Sequence, residues 1–390
     1  MIFERHLTSI IKDTLQFLPI VTLTGPRQSG KTTLCRKLYN HLPYVNLEDI
    51  SSLNEIEDDP KGFLSRYPSG LVIDEAQRFP EIFSYLQVIV DEDRFEEKNH
   101  RHYIVTGSSN FSLVKSISQS MAGRTSVNTL LPLSVKEICS QFPDSSTSEL
   151  ILKGGYPAIW TSQNDGRQLL LANYHTTYVE RDLHYLVNIK DLHSFNLFIR
   201  LCAGRIGTEL NISSLSVEVG VSTTTIRSWL SVLEASYIIY LLPPFHANIN
   251  KRLVKAPKLY FVDTGLASWL LGINTTDQLD VHPMRGPLFE NLVVNEAIKL
   301  GINQGTPFHL YFYRDKGQHE VDLIKENPNG TLQIFEIKAS KTYRSDYFKN
   351  INYLKSLIGN QIVSSQVVYD GSQEHYKKDN GYLNFRNINM

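Results

Sequence analysis

An eight-residue motif of glycines and a lysine constrains the fold of this chain more than any other feature. It occupies residues 25–32 and reads GPRQSGKT, which matches the phosphate-loop pattern G-x-x-x-x-G-K-[ST]. The apolar run 20–23 before it predicts a buried strand, and residues 32–38 after it predict the opening of a helix. Backbone N–H groups converge in such a loop and the helix dipole adds positive potential, so the motif predicts an ATP-binding site.

The side chains of this loop have separate expected roles. Lys31 is expected to reach the β- and γ-phosphates, and the Thr32 hydroxyl is expected to bind Mg²⁺. The predicted nucleotide-binding residues are Gly25, Pro26, Arg27, Gln28, Ser29, Gly30, Lys31, Thr32 and Thr33.

A second motif, LVIDE at residues 71–75, follows in the order that a nucleotide-hydrolysing site requires. It consists of an apolar strand that ends in two acids. At the carboxyl end of the strand, Asp74 would hold Mg²⁺ through water and Glu75 would polarise the attacking water. Such a strand is a weak signal alone, but it gains specificity from its position after the phosphate loop, with a strand and a helix between them.

Composition excludes several classes of protein. The 390 residues predict two or three domains. With Lys+Arg 39 against Asp+Glu 40, the net charge of −1 predicts no general attraction to nucleic acid. Three scattered cysteines predict neither disulfides nor a zinc cluster, and no uncharged apolar run is long enough to span a bilayer. These features predict a soluble, cytoplasmic protein.

Several motifs together resemble a family of prokaryotic AAA-like ATPases in which the ATPase domain is joined to a C-terminal region of poorly assigned function. The matching segments are GPRQSGKTTL, LVIDEAQRFP, YIVTGSSN, MAGR followed by LLPLS, GGYPAIW and YVERDL. This resemblance spans nearly the whole chain. It implies ATP binding, slow hydrolysis and a helix-rich connector.

The resemblance also suggests two further catalytic residues. In such ATPases the strand inserted between those of the two motifs carries a polar sensor, for which Ser108 is the candidate, ahead of Thr106 and Ser109. Arg124 precedes the fifth strand, where AAA+-type proteins carry an arginine finger that acts across a subunit interface of a homo-oligomer. The alternatives are a helix-capping serine and a surface arginine that closes a helix.

The middle of the chain has the layout of a winged helix-turn-helix. Residues 212–230 read as two helices, with Gly220 closing the first and Ser222 capping the second. A predicted strand hairpin follows between residues 237 and 262. The candidate DNA contacts are Thr224 and Arg227 on the second helix and Lys251, Arg252 and Lys255 on the hairpin, which also carries Lys258. Contact with a protein partner is the alternative.

The C-terminal third predicts the element order αβββαβ, the core order of restriction-endonuclease-like folds. Within it, Asp322, Glu336 and Lys338 resemble the D…[DE]-x-K constellation of metal-dependent nucleases, and Glu290 matches an additional acid on the first helix. A charged hairpin face, or an intact fold that no longer cuts, would give the same pattern. His319 is expected to be a surface residue.

The predicted fold class is therefore α/β, with an AAA+-like P-loop NTPase domain at residues 1–135 and a helical connector at 136–194. A winged helix-turn-helix is predicted at 195–275 and a restriction-endonuclease-like domain at 283–390. Three functions fit this order. They are an ATPase that couples hydrolysis to DNA, a nucleotide-switched regulator that binds DNA or protein through an inactive nuclease fold, and an ATP-gated nuclease.

Overall fold

A parallel five-stranded sheet forms the centre of the N-terminal region in the computed structural model, which describes residues 2–96, 101–107, 121–162, 166–182, 191–245 and 256–390. Its strands are β1 (Ile20–Thr24), β2 (Tyr44–Asn46), β3 (Gly70–Asp74), β4 (His102–Thr106) and β5 (Thr125–Thr129). They lie in the order β2-β3-β4-β1-β5, and neighbouring strands are parallel. The segments that follow β1, β3 and β4 therefore meet at one edge of the sheet.

Helices cover both faces of this sheet because consecutive strand residues point to opposite sides. Val72 and Ile104 pack in one apolar layer, and Ile73 and Val105 pack in the other. The covering helices are α1 (Leu7–Thr14), α2 (Lys31–Leu38), α3 (Ile50–Asp58), α4 (Pro60–Ser65) and α5 (Ile82–Phe95). This arrangement fixes β1 and α2, between which the phosphate loop lies.

A helical region follows the sheet. Its helices are α6 (Val135–Cys139), α7 (Thr147–Lys153), α8 (Pro157–Thr161), α9 (Arg167–Tyr174), which continues as the π-helical segment His175–Asp182, and then α10 (Leu192–Ala203), α11 (Ile212–Val219) and α12 (Thr223–Ala235). The antiparallel strands β6 (Ile239–Leu242) and β7 (Lys258–Phe261) come next.

The helix pair α11–α12 and the strand pair β6–β7 occupy the ranges that the sequence predicts for them. Gly220 ends α11 with a φ of 78°, in the left-handed region that glycine adopts most easily. The Ser222 side chain accepts a hydrogen bond from the Thr225 backbone N–H and so caps α12. Ile226 and Leu230 are buried, as their spacing along α12 requires.

A second five-stranded sheet forms the C-terminal region. The helices and strands of this region are, in chain order, α13 (Thr264–Leu270), α14 (Thr276–Val281), α15 (Arg285–Asn303), β8 (His309–Arg314), β9 (Glu320–Glu326), β10 (Leu332–Lys338), α16 (Lys349–Ile358), β11 (Ile362–Tyr369) and β12 (Gly381–Asn384). The strand order is β12-β11-β10-β9-β8, with β8, β9 and β10 antiparallel and β10, β11 and β12 parallel. The predicted order αβββαβ is thus followed by one further strand.

One continuous apolar core joins the helical region, the strand pair and one face of the C-terminal sheet. The long helix α15 contributes Leu288, Phe289 and Val293 to this core. No helix within the described ranges is both long and apolar enough to cross a membrane.

Candidate functional site

The phosphate loop adopts a conformation that depends on its glycines. Gly25 has a φ of +137°, and a Cβ atom added there would lie 2.3 Å from the Leu130 carbonyl oxygen. Gly30 has a φ of +96° and immediately precedes α2. Within the described residues no side chain caps α2, so the N–H groups of its first turn are available to an anion.

Lys31 is buried inside this loop, with 6% of its surface exposed. Its Nζ atom donates hydrogen bonds to the carbonyl oxygens of Gly25, at 3.1 Å, and Pro26, at 2.8 Å. Burial lowers the pKa of Lys31 from an ordinary value of 10.5 to about 8, although Glu75 and Asp74 oppose this shift. The ammonium is thus bonded to neutral oxygens in a site that favours the arrival of negative charge.

Three hydroxyl groups hold Asp74 at the end of β3. Its carboxylate accepts hydrogen bonds from Thr32 Oγ1 at 2.7 Å, from the Tyr44 hydroxyl at 2.6 Å and from Thr106 Oγ1. Tyr44 of β2 and Thr106 of β4 reach Asp74 because β2 and β4 flank β3 in the sheet. The sequence suggested Thr106 only as a secondary sensor, and it gave no signal for Tyr44, whose role depends on strand pairing.

Glu75 follows β3 in a left-handed backbone conformation, with a φ of 58°. Few non-glycine residues adopt this left-handed conformation, and those that do are concentrated at functional sites. Its carboxylate accepts a hydrogen bond from Gln77 Nε2. The turn therefore directs Glu75 away from the strand, and its side chain lines the same cleft as Lys31 and Thr32.

This cleft has a volume of about 580 Å³, within the range of small-molecule sites. The phosphate loop and Glu75 form one wall. Residues of the N-terminal segment and of the helical region complete it, namely Ile2, Phe3, Arg5, Pro157, Ala158, Thr161, Tyr174, Thr177 and Tyr178. The sequence did not predict the contribution of the helical region, because that contribution depends on long-range packing.

Arg5 connects the phosphate loop to neighbouring elements. Its guanidinium donates to the carbonyl oxygens of Ser29, at 2.8 Å, and Leu131, at 2.5 Å, and forms a buried ion pair with Glu137 at 3.2 Å. Glu137 also accepts hydrogen bonds from the backbone N–H groups of His6 and Ser134. The loop is thereby tied both to the N-terminal segment and to α6.

The two further catalytic candidates have different outcomes. Ser108 and its neighbour Ser109 lie outside the described residues. Arg124 lies between β4 and β5 along the chain and forms a two-point ion pair with Asp91 of α5, at 2.8 and 2.7 Å. The arginine-finger role of Arg124 stays a prediction.

The candidate DNA-contact residues are only partly described. Thr224 and Arg227 are exposed on α12, as predicted. Lys251, Arg252 and Lys255 lie outside the described residues. Lys258, which the sequence grouped with these hairpin cations, is instead 1% exposed and points toward acids of the C-terminal region. The grouping was wrong because position 258 pairs within a strand whose side chains pack against α15 and β9.

The four residues of the nuclease-like constellation lie in one cluster with Lys258. Lys338 Nζ is 2.7 Å from a Glu336 carboxylate oxygen and 3.8 Å from one of Asp322. Lys258 Nζ is 3.1 Å from Glu290. We call this set, together with Glu320 at 2.5 Å from Lys258 Nζ, the acid cluster: Lys258, Glu290, Glu320, Asp322, Glu336 and Lys338.

Burial and mutual repulsion dominate the electrostatics of the acid cluster. Burial and the nearby Asp322 carboxylate raise the pKa of Glu290 to about 7 and that of Glu336 to about 8. Burial alone would lower the pKa of Lys338, but Asp322 and Glu336 outweigh it and raise that pKa. No three acid, histidine or cysteine side chains of the described residues are arranged to hold a metal ion.

Three family models match consecutive parts of the chain. Residues 18–139 match the AAA domain. Residues 144–277 match DUF8612 and residues 285–388 match DUF4143, both described as domains of unknown function. The AAA match covers the parallel sheet with the phosphate loop and both predicted motifs, so the N-terminal region is an AAA-like P-loop domain.

Relatives match the chain over most of its length. An uncharacterized protein of Mycobacterium tuberculosis is 32% identical over 344 residues, which cover 88% of this chain and 75% of the relative. One from Haemophilus influenzae is 23% identical over 96% of this chain and 97% of its own.

The solved structures are weak likenesses. The Walker-type ATPase PABY2304 of Pyrococcus abyssi is 13% identical, with a TM-score of 0.42, over 69% of this chain and 96% of its own. The ORC1 protein of Aeropyrum pernix, solved in complex with DNA, is 12% identical with a TM-score of 0.31, over 69% and 92%. Because 32% identity over 88% of this chain and 75% of the relative shows common membership, this chain belongs to the same protein family as the mycobacterial relative.

Proposed function

We propose that this protein binds ATP together with Mg²⁺ and hydrolyses it to ADP and phosphate. The observation that carries the proposal is that Lys31, Thr32 and Glu75 line one cleft. Asp74 is buried beside Thr32 and is held by hydroxyls from three other elements. A triphosphate in the loop would accept hydrogen bonds from the N–H groups at the start of α2 and would draw Lys31 Nζ away from the loop carbonyls.

The residues present fit Mg²⁺. Thr32 Oγ1 and Asp74 supply hard oxygen ligands that already lie 2.7 Å apart, and Mg²⁺ prefers such oxygens with several waters retained. When bound, Mg²⁺ would neutralise charge on the β- and γ-phosphates. Thr32 and Asp74 are the residues that would hold it, and Tyr44 and Thr106 fix the carboxylate.

Glu75 is the proposed general base. Its turn directs the carboxylate into the cleft, and Gln77 fixes one of its oxygens. From there Glu75 would orient a water toward the γ-phosphate and accept its proton. Arg124 could add positive charge only from a second copy of the chain in a homo-oligomer, and it would have to exchange its Asp91 partner for phosphate.

Substitution of Glu75 by Gln tests the proposal. Glu75→Gln should keep ATP affinity within about twofold, because a neutral side chain next to the phosphates removes repulsion, and should lower phosphate release by about 100-fold. Glu48 is exposed and lines the same cleft, so Glu48→Gln is the matched control and should hydrolyse ATP like the wild type. Undiminished phosphate release by Glu75→Gln would contradict the role of Glu75.

A second part of the proposal is that nucleotide state is coupled to DNA. It is supported by the capped helix pair α11–α12, which presents Thr224 and Arg227 to solvent. DNA-stimulated ATP hydrolysis that weakens in Arg227→Ala would support this coupling. Stimulation by a protein partner, with none by DNA, would favour the alternative of a nucleotide-switched regulator.

The proximity of Asp322, Glu336 and Lys338 supports a nuclease-like role for the acid cluster. The test is incubation with plasmid and linear DNA, with and without ATP and Mg²⁺. Nicking that disappears in Asp322→Asn and in Glu336→Gln would support cleavage. Nicking that persists in both variants would assign the activity to another site or to contamination.

A further inference from the structure

The segment that leads from β5 into α6 is attached to the phosphate loop at one end. We call residues 131–135 the linking segment. The Arg5 guanidinium donates to the Leu131 carbonyl oxygen at 2.5 Å and to the Ser29 carbonyl oxygen at 2.8 Å. Arg5 is 9% exposed, so these hydrogen bonds are shielded from water. The beginning of the linking segment and the phosphate loop therefore share one buried cation.

Two charged side chains of α15 hold the other end of the linking segment. Lys299 Nζ donates to the Leu133 carbonyl oxygen at 2.8 Å, and Glu296 Oε2 accepts a hydrogen bond from the Val135 backbone N–H at 2.9 Å. Lys299 Nζ also lies 3.3 Å from Glu296 Oε1, and both residues are 6% exposed. Because hydrogen bonds to charged groups are stronger than neutral ones, α15 fixes the positions of both backbone groups.

Glu137 connects the two ends of this arrangement. Its carboxylate pairs with Arg5 at 3.2 Å and accepts a hydrogen bond from the Ser134 backbone N–H at 2.9 Å. Residues 133–135 are thus each held by a buried charged side chain. A continuous chain of contacts runs from Ser29 in the phosphate loop, through Arg5, Glu137 and the linking segment, to α15.

We propose that Glu296 and Lys299 are positioning residues for the ATP site, and that they hold the phosphate loop in its binding conformation through the linking segment and Arg5. The described residues that line the nucleotide cleft all lie at or before Tyr178, so α15 acts from outside the cleft. A loop that is already held in place loses less conformational entropy when a triphosphate binds, which raises the affinity. This inference rests on the proposed binding of ATP and adds that the C-terminal region sets its affinity.

ATP binding and turnover by the full-length Lys299→Met variant test the proposal. This variant lacks the donor to Leu133 and the partner of Glu296. A less ordered loop weakens binding of the substrate and of the transition state equally. ATP affinity should therefore fall about tenfold, while phosphate release at saturating ATP stays within about twofold of the wild type. Calorimetry measures the affinity, and steady-state kinetics separates KM from kcat.

Hydrogen exchange in the nucleotide-free protein measures the order of the loop directly. Backbone amides of residues 25–32 should exchange about tenfold faster in Lys299→Met than in the wild type, whereas amides of β9 and β10 should keep their wild-type rates. Faster exchange in all of these segments would indicate general destabilisation and would overturn the positioning role.

Asn295→Ala is the matched control. Asn295 is buried on the same helix, with 4% of its surface exposed, and its amide donates to the carbonyl oxygens of Phe261 and Val262. Removing this amide disturbs the packing of α15 against the strand pair, so Asn295→Ala should bind ATP like the wild type. An equal loss of ATP affinity in Asn295→Ala, or wild-type affinity in Lys299→Met, would overturn the proposal.

Folding of each variant is checked by circular dichroism. If Lys299→Met does not fold, Glu296→Leu/Lys299→Met takes its place, because the double variant leaves neither member of the ion pair buried alone. Failure of this proposal and failure of the ATPase proposal are distinguishable. A wild-type protein that does not bind ATP would contradict the ATPase proposal, whereas normal binding by the wild type and by Lys299→Met would contradict only the positioning role.

Discussion

Lysines lie beside carboxylates in two regions of this molecule, but their hydrogen-bond partners differ. In the phosphate loop, Lys31 donates to two neutral carbonyl oxygens, and burial lowers its pKa to about 8. In the acid cluster, Lys258 and Lys338 contact carboxylates directly, and those charges raise their pKa values in spite of burial. A buried lysine in this molecule therefore marks an open anion site only where carboxylates do not already balance its charge.

The largest expected effect concerns nucleotide affinity. Lys31→Met should weaken ATP binding by about 100-fold or more, because a buried charge contact to the phosphates is lost. Calorimetric titration measures it, with the exposed Lys61→Met as the control. Unchanged ATP affinity in Lys31→Met would show that Lys31 does not form an open anion site.

The stability of the nucleotide-free protein should respond in opposite ways in the two regions. Lys338→Met strands two acids, and because a third of the Lys338 side chain is exposed, we expect a loss in free energy of unfolding of about 2 kcal/mol. Lys31→Met removes a buried charge bonded only to neutral oxygens, so it should cost nothing or stabilise the protein. Urea unfolding measures the free energy of unfolding of both variants. Equal losses in the two variants would contradict the difference between the two lysines.

A smaller effect is expected from the hydroxyls around Asp74. Thr106→Val removes one hydrogen bond to the carboxylate and should lower kcat for ATP hydrolysis by about tenfold, with ATP affinity little changed. Thr22 is equally buried on the neighbouring strand and bonds to Thr125 Oγ1 at 3.0 Å, so Thr22→Val is the matched control. The same loss in both variants would indicate a general packing defect.

The smallest predicted effect is the uptake of a proton when ATP binds. Lys31 has a pKa of about 8 in the free protein, and a bound triphosphate raises it, so near pH 8 binding should take up about half a proton. ATP affinity should therefore fall as the pH rises above about 8. Calorimetry in buffers of different ionisation enthalpy measures the uptake, which should vanish in Lys31→Arg because arginine stays charged.

The sequence signals for the phosphate loop are local, so the sequence alone can locate the loop between its strand and its helix. Gly25, Gly30, Lys31 and Thr32 lie within one loop, and the strand before Asp74 ends where its apolar residues end. The AAA-domain match confirms the class of the N-terminal region.

The parts that the sequence did not predict depend on which elements meet in space. Tyr44 reaches Asp74 only because β2 pairs with β3, and Tyr178 lines the cleft only because the helical region packs against the loop. Lys258 looks like a hairpin cation in the sequence, but the packing of β7 against α15 and β9 buries it among acids. Local charge patterns carry no information about such contacts.

A crystal structure with Mg²⁺ and a non-hydrolysable ATP analogue would show directly whether the phosphate loop holds the nucleotide. We expect the triphosphate inside loop 25–32, with Lys31 Nζ moved from the carbonyls of Gly25 and Pro26 to about 3 Å from the β- and γ-phosphate oxygens. Glu75 should face the γ-phosphate across a single water. An analogue bound elsewhere, or a Lys31 that keeps its bonds to the loop carbonyls, would contradict it.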